Sequence, residues 1–152
     1  MIERAFEIRL AIPDNEAYTA LETLKRLGVP CGDIARADVH VFGVDEEVDE
    51  GELERVLRTV ATVYNPNKHR LRALPQPRPQ PGEVWITSSD LPPARRDRVV
   101  LGGVVLRGAR SAWQATSWRL LDAGGKDVAD PVLDRAVATL LCNPAFQRAI
   151  KA

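Results

Sequence analysis

The sequence predicts an α+β fold in two unequal parts, and three observations carry that reading. Apolar residues alternate at period two in some stretches and recur at helical spacing in others. Proline stands at every second position from Pro75 to Pro81, where missing donors and fixed φ exclude both helix and central strand. The tryptophans Trp85, Trp113 and Trp118 all follow that divide. Residues 1–74 are therefore expected as one domain, 75–82 as an extended linker and 83–152 as a smaller α+β unit.

In the first part, Ala5–Ile12 alternates, with Phe6, Ile8 and Leu10 on one face, and reads as a strand that Pro13 ends. Asp14 is a plausible N-cap. Ala17, Ala20, Leu21, Leu24 and Leu27 follow at helical spacing, and Gly28 closes the helix. Ile34–Val44 is apolar on both sides, either one long bent strand or two short ones. Asp49 to Glu52 has capping-box spacing ahead of a second helix with the stripe Leu53, Val56, Leu57, Val60 and Tyr64. Asn65-Pro66 stops that helix, because a residue before proline is pushed out of the α region. Arg70–Leu74 is a short last strand. The order is β-α-β(β)-α-β, the ferredoxin-like split βαβ pattern.

The second part is less regular. Val84–Thr87 reads as a strand and Leu91–Arg98, with Pro92-Pro93, as a loop or short helix. Val99–Arg107 and Ala112–Leu121 read as a hairpin around Gly108-Ala109-Arg110, with Gly102-Gly103 as a bulge. Asp130-Pro131 starts a helix striped by Val132, Leu133, Ala136, Val137, Leu140 and Leu141, and Asn143-Pro144 ends it. Val137 to Pro144 echoes Val60 to Pro66 with one gap. The echo raises a degenerate repeat packed as a pseudo-dimer.

Charge and composition exclude several function classes. Lys+Arg and Asp+Glu both number 21, so a phosphate-neutralising nucleic-acid binder is not expected. Residues 1–73 carry 10 basic and 14 acidic side chains, and residues 74–152 carry 11 and 7. The halves could attract each other or a second copy, and a homo-oligomer is expected. No apolar run approaches the ~20 residues of a membrane span. Cys31 and Cys142 form no CxxC pair, which fits a reducing, cytoplasmic setting.

No motif for catalysis stands out. Gly102-Gly103 and Gly124-Gly125 make neither a dinucleotide nor a P-loop fingerprint, and no GxSxG occurs. His40 and His69 lack partners at metal-ligand spacing, and His40 is read as a surface or sheet-edge residue. The acidic run Asp45 to Glu50 is read as a solvated helix approach. Neither a cofactor nor a metal is expected.

Ala20–Gly28, then Asp33–Val41, then a helix running into Asn65-Pro66 before a last strand, resemble the PurS family in that order. PurS is the small subunit of phosphoribosylformylglycinamidine synthase. The resemblance covers Ala20 to Leu74. It implies a non-catalytic scaffold, without an active site of its own, that bridges a glutaminase and a synthetase subunit in purine biosynthesis. In the single-chain form of that enzyme the N-terminal region resembles a dimer of the small subunit, which a tandem would match. The second half departs from the family in lacking a clear first helix, in its Gly-rich hairpin and in its tryptophans. The interaction candidates are Arg36, Phe42, Asn65, Pro66, Trp113 and Trp118. The alternative is a small enzyme or ligand-binding domain using an Arg- and Trp-lined cleft between the halves.

Overall fold

The computed structural model describes residues 1–152. The chain runs β1 (Ile2–Leu10), α1 (Asn15–Arg26), β2 (Asp33–Val44), α2 (Glu50–Leu57), β3 (His69–Ala73), β4 (Glu83–Thr87), β5 (Val99–Leu101), β6 (Val104–Leu106), β7 (Ala109–Leu121), α3 (Asp130–Ala136), a π-helical turn (Val137–Leu141) and β8 (Arg148–Lys151). This is an α+β protein. Six strands form one sheet in the order β3-β1-β2-β7-β4-β8, and β5 and β6 form a separate hairpin. No helix is long and apolar enough to cross a membrane.

The chain divides into two compact units, each drawn from three stretches. Unit 1 takes Met1–Ile12, Asp38–Pro77 and Ser89–Gln114, and unit 2 takes Pro13–Ala37, Arg78–Ser88 and Ala115–Ala152. The proline-rich segment is thus shared, to Pro77 in one unit and from Arg78 in the other.

In unit 1, Phe6, Ile8, Phe42, Val44 and Leu71 of the sheet pack with Leu53 and Leu57 of α2 and with Val99 and Leu106 of the hairpin. The alternation read in β1 produces this, since Phe6 and Ile8 fall on the helix-backed face. Glu7, between them, falls on the other. The hairpin turns at Gly102 and Gly103, with φ of +55° and +79°. A two-residue turn with both centres at positive φ matches the right-handed twist of the flanking strands and needs glycine. The expected hairpin around Gly108 is corrected on this point: Gly102-Gly103 is the turn, not a bulge, and Ala109 already opens β7.

In unit 2, Ala17, Ala20 and Leu24 of α1 pack with Ile34 of β2, Val84 and Ile86 of β4, Trp118 and Leu120 of β7 and Leu133 and Ala136 of α3. The Asp14 side chain caps α1 by accepting from the Ala17 N–H at 3.1 Å. At the other end Arg135 of α3 donates to the carbonyls of Leu27 and Gly28, both at 3.1 Å. These are backbone acceptors that a helix end leaves without intrahelical partners.

Other expectations shift in detail. Ile34–Val44 is one continuous strand. The second helix stops at Leu57, short of Asn65, and turns fill the interval. Thr59, Val60, Thr62 and Val63 are β-branched there and weaken helix continuation. Asp130 is the first residue of α3 rather than its cap, which is Ala129. His40 is buried on β2, an inner strand, not at a surface or edge. Its ring stacks on Phe42 with centroids 6.3 Å apart. Burial pulls the imidazole pKa below its ordinary value, with Asp38 opposing.

The strand registers repeat. β1 pairs Glu7 with Val39 of β2 and Arg72 of β3. β4 pairs Trp85 with Ser117 of β7 and Ile150 of β8. Adding 78 to each number of the first set gives the second. The same shift carries Phe6, His40 and Ala73 onto Val84, Trp118 and Lys151, and Ile8, Asp38 and Leu71 onto Ile86, Thr116 and Ala149. Two runs of chain with different side chains thus keep one pairing register in three strands, with no net insertion between them.

Candidate functional site

The Asn-Pro turns singled out in the sequence share one hydrogen-bond pattern. Asn65 Oδ1 accepts from the Asn67 N–H at 2.9 Å, and its carbonyl accepts from the amides of Lys68 and His69 at 3.0 and 2.8 Å. The Asn65 N–H donates to His69 Nδ1 at 2.8 Å. At the second turn, Asn143 Oδ1 accepts from the Ala145 N–H at 3.0 Å. Its carbonyl accepts from Phe146 and Gln147 at 3.2 and 2.8 Å, and its N–H donates to Gln147 Oε1 at 2.8 Å. Asparagine suits both places because its side chain mimics a turn carbonyl, and Pro66 and Pro144 forbid helical continuation. Each turn feeds an edge strand of the sheet, β3 or β8. Both prolines and Phe146 are exposed.

The other sequence candidates lie apart from these turns. Arg36 is bound to Asp14 at 3.0 Å and Glu16 at 2.9 Å, so it ties the start of α1 to β2 within unit 2. Phe42 is buried beside Phe6 in the unit 1 core, ring centroids 6.2 Å apart. Trp118 is buried in the unit 2 core. Trp113 is also buried, and belongs to neither helix-backed cluster. Its position, five residues from Trp118, puts the two on opposite faces of β7, as strand periodicity requires. No tryptophan is exposed, because both faces of the sheet are buried at these positions.

Unit 1 also holds a cavity of about 660 Å³, lined by the Asp45–Asp49 approach, α2 and Arg107 to Arg110. The sequence reading missed it because Arg110 is far along the chain from Asp45. The Arg110 guanidinium grips both oxygens of Asp45, at 2.9 Å in the shortest contact, and also donates to the Asp97 carbonyl. That bond to Arg110 holds the Asp45 carboxyl below its ordinary range. Arg55 holds Glu52 in the same way, and Asp49 caps α2 through the Glu52 N–H at 3.1 Å. Asp45 with Arg110 and Glu52 with Arg55 are thus paired within the cavity wall. Such a wall suits a structural joint better than acid–base catalysis, which needs a group poised near neutrality.

No three His, Cys, Asp or Glu side chains gather as a metal site, and both cysteines are free thiols. Burial pushes the Cys31 thiol up, away from a reactive thiolate. No known family model matches the chain, and no curated protein matches it.

Proposed function

We propose that the chain is a scaffold subunit of the PurS kind, built as a tandem of two ferredoxin-like units. On this reading it bridges a glutaminase and a synthetase subunit. The observation that carries the reading is the pair of Asn-Pro turns 78 residues apart with the same four hydrogen bonds, set in strands whose registers repeat at the same shift. A duplicated domain accounts for both coincidences at once. Strand order supports it as well. Within unit 1 the order is β3-β1-β2-β7, and within unit 2 it is β8-β4-β7-β2. Each corresponds to the 4-1-3-2 order of a ferredoxin-like sheet when one strand is donated by the other half of the chain. The exposed turns beside the edge strands are the proposed docking points, and whole chains are proposed to self-associate as homo-oligomers.

Size-exclusion chromatography of the purified chain, mixed with the glutaminase and synthetase subunits of phosphoribosylformylglycinamidine synthase from the same source, tests this. A co-eluting complex that weakens with Pro66→Ala or Pro144→Ala is expected. Separate elution of all three proteins, with and without glutamine and ATP, would overturn the reading.

A further inference from the structure

Unit 1 carries a second group of charges, on the face of β1 and β3 turned away from the helix-backed core. The β1–β3 register sets Glu7 opposite Arg72 and Arg9 opposite Arg70, so four charged side chains adjoin on one surface. Glu7 is only 2% exposed. Its Oε1 accepts from Arg9 Nε at 2.8 Å and Arg72 Nε at 2.5 Å, while its Oε2 is buried with no hydrogen-bond partner. The arginine side chains reach outward, 43% exposed at Arg9 and 56% at Arg72. Arg70 Nη1 donates to the carbonyl of its neighbour His69. With Leu71 these groups line a cavity of about 370 Å³.

We propose that Arg9, Arg70 and Arg72, organised around the buried carboxylate of Glu7, bind a small phosphate-bearing anion. Charge is the first argument. Three arginines and one carboxylate line the cavity, and the excess of two positive charges matches a phosphate group. The second argument is internal to the molecule. The shift of 78 that maps the strands onto each other places Trp85 where Glu7 stands, Thr87 where Arg9 stands and Ile150 where Arg72 stands. Trp85 is 1% exposed. The same position in the same sheet is therefore filled by an apolar side chain, and of the four charged side chains only Arg70 keeps a charged counterpart, Arg148. The sheet folds at the equivalent place without a buried carboxylate or the two arginines bound to it. Guanidiniums held in place on an exposed surface, where the fold has an apolar alternative, point to a ligand.

The chemistry of the group narrows that ligand. A guanidinium fork matches the oxygen spacing of phosphate and carboxylate. A doubly charged phosphate monoester balances the cluster, whereas a single carboxylate leaves half the excess. A polynucleotide would need a longer basic track than three arginines in a chain of zero net charge. Glu7 is a positioning residue: its Oε1 holds both Nε atoms and so fixes the plane of each guanidinium.

Nuclear magnetic resonance titration of the full chain with inorganic phosphate, and separately with glycerol phosphate, tests the assignment in 150 mM sodium chloride. Saturable shifts are expected at the Nε–H groups of Arg9, Arg70 and Arg72 and at β1 and β3 amides, but not at β4 or β8. Saturation by glycerol phosphate identifies an organic monoester as ligand, and saturation by inorganic phosphate only identifies the free ion. The exposed Arg70→Ala variant should weaken binding about tenfold, the loss of one charge-assisted contact. Glu7→Gln separates a built site from a plain patch of charge. It raises the local positive charge, so a patch would bind more tightly, whereas a site positioned by Glu7 should bind several-fold more weakly. Thermal melts verify that both variants are folded. Linear shifts with either anion, binding unchanged in Arg70→Ala, or tighter binding by folded Glu7→Gln would overturn the proposal.

Discussion

Matched by register, the connection from β1 to β2 and the connection from β4 to β7 have the same length, since the strands they join keep the shift of 78 on both sides. One folds as α1, the other as the β5–β6 hairpin. Local chemistry decides between these shapes. Residues 11–32 offer an Asp14 cap, apolar residues at helical spacing and Gly28 at φ +76°, a stop. Residues 89–110 offer Pro92-Pro93, which resist a helix, and Gly102-Gly103, which make a tight turn. Where each connection packs is another matter. Helix α1 contributes to the core of unit 2, with strands that lie beyond the proline segment. The hairpin contributes to the core of unit 1, with β1 and α2. Local sequence set the shape of each connection, and nonlocal burial set its destination.

The strongest way to break this comparison is to separate the halves. Residues 1–74 retain β1, α1, β2, α2 and β3 but lack Val99, Leu106 and Ala109 of the unit 1 core. They also leave Ala17, Ala20 and Leu24 without Val84, Leu120 and Leu133. The fragment should show no cooperative melt, and mixing it with residues 75–152 should restore one. A cooperative transition in the isolated fragment would show that each half has a core of its own.

Single leucines sharpen the same point. Leu24 anchors α1 and Leu106 anchors the hairpin, and both are fully buried. Truncating either to alanine should cost about 2–5 kcal/mol. Hydrogen exchange should then separate them. Leu24→Ala should speed exchange in β4 and α3, while Leu106→Ala should speed it in α2 and β3. Equal acceleration of both groups by each variant would mean that the two cores unfold as one.

Much of the first half of the chain was legible in the sequence, because its helices and strands have clean periods and caps. The N-cap at Asp14, the spacing of Ala17, Ala20 and Leu24, and the alternation around Phe6 and Ile8 all reappear in the structure. Strand β8 was missed. Arg148–Lys151 is short and lies at an edge, so little burial shapes its sequence. The Glu7 cluster was also hidden. Glu7 and Arg9 read as the solvent side of an alternating strand, and Arg72 joins them only through the β1–β3 register. Matching alternation of charges, Glu7 and Arg9 against Arg70 and Arg72, was the available signal. The destination of α1 had no local signal at all.

Buried charge gives a comparison between equivalent positions. His40 of unit 1 corresponds to Trp118 of unit 2 under the shift of 78. Burial lowers the pKa of His40 in the folded state from its ordinary 6.5, more than the Asp38 charge raises it. The unfolded chain therefore takes up the proton first as pH falls, and stability should decline below about pH 6.5. Replacing His40 with Phe should remove that part of the decline. For Glu7, burial raises the pKa, but the bonds from Arg72 and Arg9 together outweigh it, so the net shift is downward. Its contribution is present above the ordinary glutamate range and lost as pH falls through the lowered value. Urea midpoints between pH 3 and pH 8 would check both. An unchanged slope in His40→Phe near pH 6 would locate the sensitivity elsewhere.

The smallest expected effect lies at the two Asn-Pro turns. At the first, His69 Nδ1 accepts the Asn65 N–H, and at the second, Gln147 Oε1 accepts the Asn143 N–H, each at 2.8 Å. Different side chains meet one requirement, an acceptor four residues after the asparagine. If the turns are equivalent, the second already holds the conservative replacement for the first. His69→Gln should stay within about 0.5 kcal/mol of the parent, the ordinary scatter of a neutral surface change. His69→Ala removes the acceptor and should cost about 1 kcal/mol, the net worth of one hydrogen bond. The Tyr64 ring lies 6.2 Å from the imidazole and loses that neighbour in both variants, so the difference between them isolates the acceptor. Urea denaturation resolves such a difference. Equal losses in the two variants would mean that the imidazole serves as packing against Tyr64, and that the likeness of the turns stops at the backbone.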